Sequence, residues 1–368
     1  MSEIRTHARQ PLFHMVQRDA LPPVTAAAYR LLAVVAALFT GGLFLLALGL
    51  DPVAVYGTMI SGALGSESNI RETVKIAIPL CITSLGILLA FKMRFWNIGA
   101  EGQICVGAIA ASYFAYYHNT LPTWLLLIVM AAAGILAGGL WGMIPAWFKT
   151  RFGTNETLFT LMMNYVALYM IQFLREGPWK DPKSMGFPQM PRFVAGARMP
   201  AVLGVHIGWI VALALVVAVL LYLKYTKQGY ELTVVGENEN TARYAGMPVK
   251  RIVLRTMFFS AGICGLAGVL KVSGADRVLT ESVAGGVGFT AITVAWLARL
   301  SPLGILVVSI LFGVLEKGCG TIQSVFKIST SVAQVLQGII LFFVLGAEFF
   351  LTYRLMGQKA SIRKEAES

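Results

Sequence analysis

The sequence predicts an all-α polytopic membrane protein with about ten transmembrane helices, and three observations carry that. Of 368 residues, 57% are hydrophobic and only 13% are charged, against about 25% charged in a soluble domain. Mean hydropathy is +0.71. Apolar runs recur at about the 20-residue length that a helix needs to cross the hydrocarbon core. The alternation in segments of about 10 residues that marks a transmembrane barrel is missing. Lys and Arg exceed Asp and Glu by 30 to 18, a net charge of +12. In a chain this apolar, positive flanks orient helices in the bilayer. No basic, aromatic-interleaved soluble face for nucleic acid is present.

Residues 1–30 form a basic tail with His7, Arg9, His14, Arg18 and Arg30. The first apolar run, 31–50, has no small-x-small cleavage site before Asp51-Pro52, so it reads as a retained helix rather than a signal peptide. Further spans are expected at 74–91, 98–117, 121–148, 158–174, 207–223, 252–272, 288–300, 303–315 and 332–352. The eighth and ninth are short, and only Ser301-Pro302 separates them. They read either as full spans with polar ends or as a broken pair.

Basic residues set the orientation. Arg9, Arg18, Arg30, Lys92, Arg94, Lys149, Arg151, Lys224, Lys227, Lys250, Arg251, Arg299, Arg354, Lys359, Arg363 and Lys364 all fall on one side of a ten-span scheme, with both termini cytoplasmic. The transmembrane domain is then 31–353 and the cytoplasmic tail 354–368. Loop 176–205 is the exception: it holds Lys180, Lys183, Arg192 and Arg198 yet falls outside. Its PWKDP and FPQMP stretches are rich in turn formers and predict a compact external cap.

The two halves are alike. Span two (AIPLCITSLGILLAFK) and span seven (FFSAGICGLAGVLK) share a small-residue rhythm, and each precedes a Gly-interrupted polar segment, NIGAEGQICVGAIAA and GGVGFTAITVAWLA. They run in opposite directions, which makes an inverted repeat. Interrupted segments at matching positions point to a translocation path. That path is expected between them, lined by Asn97, Glu101, Gln103 and Asn164 from the first half and Phe289 and Thr290 from the second.

Two readings of Glu101 stay open. Within a first turn it suits the positive end of its own helix dipole; as a carboxylate at the start of a span it also fits a path or gate. Thr154 or Asn155 is expected to cap the helix beginning near Glu156. Asn164, inside that span, requires a partner within the bundle. The sequon Asn155-Glu156-Thr157 falls on the inner side and is discounted. Gly134, Gly138 and Gly142 make a tandem GxxxG run, a mark of close helix packing.

Other chemistry is excluded. Cys81, Cys105, Cys264 and Cys319 lack metal-ligand spacing and fit as small buried apolar residues. His7, His14, His118 and His206 lie in tails or at span ends. The GxGxxA match at Gly286–Ala291 follows no strand, so it is no dinucleotide site. No GxxxxGK[ST], HExxH or catalytic triad occurs, so no enzyme is expected in this chain, and any ATP is bound by another.

One segment, 229–251 (GYELTVVGENENTARYAGMPVKR), sets a polar, helical island with a Gly-Met-Pro stop between two long apolar runs. An embedded protein with such an island docks something there. This favours a transport subunit driven by a separate motor over a self-contained pore.

Four motifs then carry a resemblance: RFWNIGAEGQ, TNETLFTLMMNY, VVGENENTARYAGM and GFTAITVAWLARLSPLG. With them, about 26–353 resembles the permease subunits of bacterial ABC importers for simple sugars and nucleosides, the ribose- and branched-chain-amino-acid-type family, and is most similar to the nucleoside permeases. The resemblance implies an ABC ATPase subunit, a second permease (homologous or identical), an external substrate-binding protein and a place in the bacterial inner membrane. It implies no cofactor in this chain, the ATP being held by the partner. It places a coupling helix in the island, where Gly236, Asn238, Ala242, Arg243 and Gly246 match the pattern and Glu237 and Tyr244 belong to the same stretch. Ala298-Arg299 stands where many relatives have Leu-Gly.

The expected substrate is a nucleoside, with a pentose as the alternative. A nucleoside path would be polar, uncharged and walled by aromatics, which Asn97, Gln103, Asn164, Trp96, Tyr165 and Phe289 supply. A self-sufficient secondary transporter would instead need charges within its spans. Lys75 and Glu316 lie only near span ends.

Overall fold

The computed structural model describes residues 13–17, 22–184, 186 and 188–357. Most of the expected basic tail, including Ser2, His7, Arg9 and Arg18, and the tail from 358 to Ser368 lie outside the described residues. In chain order the elements are β1 (Phe13–Gln17), α1 (Pro23–Ala47), α2 (Pro52–Leu64), α3 (Glu67–Lys92), α4 (Ala100–Tyr117), α5 (Thr123–Phe152), α6 (Glu156–Glu176), β2 (Ala201–Val202), β3 (Val205–His206), α7 (Gly208–Tyr225), α8 (Lys227–Glu237), α9 (Glu239–Tyr244), α10 (Val249–Leu270), α11 (Val287–Leu297), α12 (Pro302–Phe326), α13 (Thr330–Thr352) and β4 (Tyr353–Gly357).

Among the described residues, eight helices are long and apolar enough to cross a membrane: α1, α3, α5, α6, α7, α10, α12 and α13. The eighth and ninth expected spans resolve unequally. α12 has 25 residues, enough to cross. α11 has only 11, about 16 Å of helix, roughly half a crossing. A short apolar helix, α2, was not expected; Asp51-Pro52 sets its start after the turn that ends α1.

The chain forms two compact units, residues 1–59 with 319–368, and residues 60–318. In the first, α1 packs along α13, and Arg30 Nε donates to Glu348 Oε1 at 2.7 Å. β1 and β4 pair antiparallel, from Phe13↔Gly357 to Gln17↔Tyr353, which brings the two ends of this unit together.

In the second unit α10 is central, packed on α3, α4 and α5. Its approach depends on glycine. A Cβ at Gly138 would meet the Ala261 carbonyl at 2.7 Å and Gly265 Cα at 2.8 Å, so the backbones of α5 and α10 touch. The tandem GxxxG run is thus the face that α5 turns to α10. Between helices in lipid, such contact replaces the hydrophobic drive of water. α3 joins on the other flank, where Ser260 Oγ donates to the Gly86 carbonyl at 2.7 Å. The two helices of the expected repeat, α3 and α10, therefore lie against each other.

α10 continues into a π-helical turn, Lys271–Asp276. Between α6 and α7 the chain folds over Trp179 and Phe193, both buried. Tyr116 on α4 packs edge-on against both rings and donates to the Pro191 carbonyl at 3.0 Å. β2 and β3 close by a two-residue turn, Leu203 and Gly204, both at positive φ.

Candidate translocation and coupling sites

The chain leaves α3 at Lys92, turns at Arg94 (φ 55°) and runs without regular structure to α4. Four polar side chains organise this crossover. Asn97 Oδ1 accepts from the Gly99 amide at 3.0 Å and from Gln103 Nε2 at 3.1 Å. Asn97 Nδ2 donates back to Gln103 Oε1 at 3.2 Å. Asn164, from α6, accepts from the Gly102 amide at 2.8 Å and donates to the Ile98 carbonyl at 2.9 Å. Glu101 reaches α11, where its two oxygens accept from the amides of Gly286 and Gly288, each at 2.7 Å. All four side chains are buried, as a buried polar group with partners can be.

The structure thus gathers Asn97, Glu101, Gln103 and Asn164 at one place, turned inward and hydrogen-bonded to the chain. Phe289 is instead 44% exposed and Thr290 half-buried, both on the surface of α11. Glu101 stands in the first turn of α4, as expected, but its carboxylate is spent on α11, whose first amides have no intrahelical acceptor. Asn155 caps α6 as expected, accepting from the Thr157 and Leu158 amides. Trp296 went unnoticed in the sequence. It stacks on Trp96 with ring centroids 5.7 Å apart, and both rings touch Phe91.

The polar island folds as two short helices. Thr226 caps α8, accepting from the Gly229 amide at 3.0 Å. Asn238 ends α8 and caps α9, accepting from the amides of Asn240 and Thr241. Arg255 of α10 holds Glu231 of α8 at 2.9 Å. Gly236 lies so close to the Lys92 carbonyl that no side chain fits there. Ala242 is fully buried, while Glu237, Asn238, Arg243 and Gly246 are exposed. Tyr244 is 92% exposed, far from the usual place of an aromatic ring. Arg243 pairs with Glu239 one turn back. Beside α9 a cavity of about 300 Å³ is lined by Arg94, Phe95, Lys149, Glu237 and Glu239. Among the described residues no group of three or more His, Cys, Asp or Glu is placed to hold a metal.

The fold is that of a helical membrane protein in which a half-length helix, α11, is capped by a carboxylate of α4. The chain belongs to the family described as branched-chain amino acid transport system / permease component, which matches residues 69–345. It is 33% identical to the glucose ABC transporter permease TsgB13 of Haloferax volcanii, over 92% of each chain. It is 31% identical to the guanosine ABC transporter permease NupP of Bacillus subtilis, over 85% of this chain and 91% of the relative. The nucleoside ABC transporter permease NupB of Lactococcus lactis is 30% identical, over 91% and 95%. Each of the three organisms also holds a more distant match named for the same substrate, at 25%, 26% and 23% identity.

Proposed function

We propose that this chain is the membrane-spanning permease subunit of an ATP-driven importer, and that its substrate is a nucleoside. The observation that carries the coupling role is α9: a six-residue helix fixed from below by Ala242 and Gly236 and from its start by Asn238, with Tyr244 92% exposed on its outer side. A rigid platform with a bare aromatic anchor fits a groove on a separate protein. That protein is the ATPase, and it holds the ATP; this chain itself is not an enzyme. Gly236, Glu237, Asn238, Ala242, Arg243, Tyr244 and Gly246 form the coupling site.

The path runs along the exposed side of α11. Phe289 and Thr290 face it with Trp96 and Trp296, while Asn97, Glu101, Gln103 and Asn164 fix the wall behind. The guanosine and nucleoside relatives and the exposed tryptophan stack, suited to a planar base, support the nucleoside reading. A simple sugar is the second reading, supported by the glucose permease at 33% identity.

The remaining partners are an external binding protein and a second permease of the more distant type, which the paired matches in three organisms support. α9 lies on the cytoplasmic side of the cell membrane. The pairing of β1 with β4 supports both chain ends on one side. Uptake of labelled guanosine, uridine, ribose and glucose by proteoliposomes holding the complete complex tests this. Saturable, ATP-dependent nucleoside uptake is expected. Sugar uptake that excess nucleoside does not inhibit would replace the first substrate reading by the second.

A further inference from the structure

A second cavity of about 450 Å³ lies at the other end of α3 from α9. Lys75 marks one end and Lys92 the other, about 25 Å apart at helical rise. Three cations, Lys75, Lys271 and Arg277, and three carboxylates, Glu72, Asp276 and Glu316, line it. Lys75 and Glu72 pair at 2.7 Å. Among the described residues Lys271, Asp276 and Glu316 make no close ion pair, though Lys271 lies near enough to act electrostatically on both carboxylates. The π-helical turn carries Lys271 and Asp276 into the wall; such turns recur at functional sites.

His206 supplies an independent observation. It is 4% exposed and lines the cavity. Its Nδ1 accepts from the Gly208 amide at 3.2 Å, and its Nε2 has no partner. An Nδ1 that accepts leaves the proton of a neutral imidazole on Nε2. Burial, with the Lys75 ammonium nearby, lowers the His206 pKa to about 4, so the ring is neutral at pH 7. Gly274 of the π-helical turn seats the ring: a Cβ there would meet Nδ1 at 2.6 Å. A buried N–H without an acceptor is costly unless something arrives to accept it.

We infer that this cavity binds the hydroxyl-bearing ring of the solute, the vicinal diol of a neutral sugar or of a nucleoside's ribose, before it enters the path. The lining is charge-balanced, so an ion would bring uncompensated charge into it, whereas a neutral polyol would not. Carboxylates accept from adjacent hydroxyls, and ammonium, guanidinium and the Nε2–H donate to their oxygens. The volume lies within the usual range for small-molecule sites. Val287, the first residue of α11, also lines the cavity, which joins it to the helix that Glu101 caps.

This inference rests on the importer reading, and the test separates the two. In the complete complex in proteoliposomes, Ala275→Cys places a thiol on the cavity wall, while Cys81, Cys105, Cys264 and Cys319 are buried. An impermeant thiol reagent is expected to label it from the side opposite the ATPase. Millimolar guanosine or glucose, whichever the complex imports, is expected to slow labelling at least fivefold. If guanosine is the substrate, 2′,3′-dideoxyguanosine should not protect. Asp276→Asn and Glu316→Gln are expected to raise the KM for uptake at least tenfold. Unprotected labelling, with KM within twofold of wild type in a complex that imports normally, would overturn the inference and leave the importer reading standing. A wild-type complex that imports neither probe would overturn that reading, and this inference with it. If a carboxylate variant fails to assemble, the Ala275→Cys protection decides alone.

Discussion

Glu101 and Gly288 stand 187 positions apart, yet the carboxylate of the first accepts the amide hydrogen of the second at 2.7 Å. The other carboxylate oxygen takes the Gly286 amide. A negative group at the open amides of a helix answers both their unmet hydrogen bonds and the helix dipole. Gly288 leaves no space for more, since a Cβ there would run into the backbone of Glu101. This contact ties the start of α11 to α4, while the helix itself packs mainly along α3.

Glu101→Gln keeps one acceptor oxygen of two and removes the charge. A hydrogen bond to a charged group contributes about 1.5–3 kcal/mol, so a loss of about 2 kcal/mol is expected. Gly288→Ala should cost a comparable amount through the clash. Thermal unfolding of the purified permease measures both. Melting temperatures equal to wild type in both variants would mean that the cap does not hold α11.

Tyr244→Ala removes a side chain that touches little of its own protein, so folding and membrane insertion should be unchanged. If α9 is the docking platform, affinity for the ATPase should fall by about 2 kcal/mol, roughly 30-fold, the effect of a central aromatic anchor. Arg243→Glu should also weaken docking. Gly246→Leu should add backbone strain, because residue 246 sits at φ 75°. Co-purification and transport-linked ATP hydrolysis are the readouts; full coupling in all three variants would remove α9 from the mechanism.

Orientation is open to thiol labelling in whole cells. A cysteine at Lys183 should react with an impermeant reagent, and cysteines at Ser2, Ser368 and Asn240 should not. Asn240 is the better probe of the island than Gly236, which is pressed against the Lys92 carbonyl. Labelling at Asn240 with protection at Lys183 would invert the assignment.

His206 gives the permease an acid limit. Its folded pKa is lowered to about 4 by burial and by Lys75, while the unfolded imidazole titrates near 6.5. Between these values the unfolded chain binds the extra proton, so stability falls as pH drops from about 6.5 toward 4 and is unaffected above that window. The expected loss is roughly 2 kcal/mol by pH 5. Lys75 opposes protonation of the ring, and Lys271, Asp276 and Glu316 line the same cavity. Comparing unfolding at pH 7.5 and pH 5 in wild type and His206→Asn isolates the effect. An equal pH dependence in both would show that another group is responsible.

Parts of the site were readable because their signals are local. Asn155 before Glu156, and Asn238 before a short polar helix, are caps that a few neighbouring residues define. The GxxxG run in α5 announced a close helix contact, because small residues every fourth position make one flat face. Other parts carried no such mark. Lys75, His206, Lys271 and Glu316 look like ordinary flanking groups at span ends, and only the packing of α3, the π-helical turn and α12 draws them around one cavity. Trp96 and Trp296 are separated by 200 positions of chain, and nothing near either names the other.

The sequence by itself determined the membrane class, the positions of most spans and the presence of a polar helical island between α7 and α10. These follow from hydropathy, basic flanks and capping residues, each felt within a few residues of its source. The tertiary structure decided which polar side chain serves which helix, that α11 is half a crossing and α12 a whole one, and that Glu316, midway along α12 rather than at a span end as expected, joins Lys75 and Lys271 around a cavity. Those outcomes depend on contacts between distant segments. Small apolar residues permit many such contacts, and only the packed helices select one set.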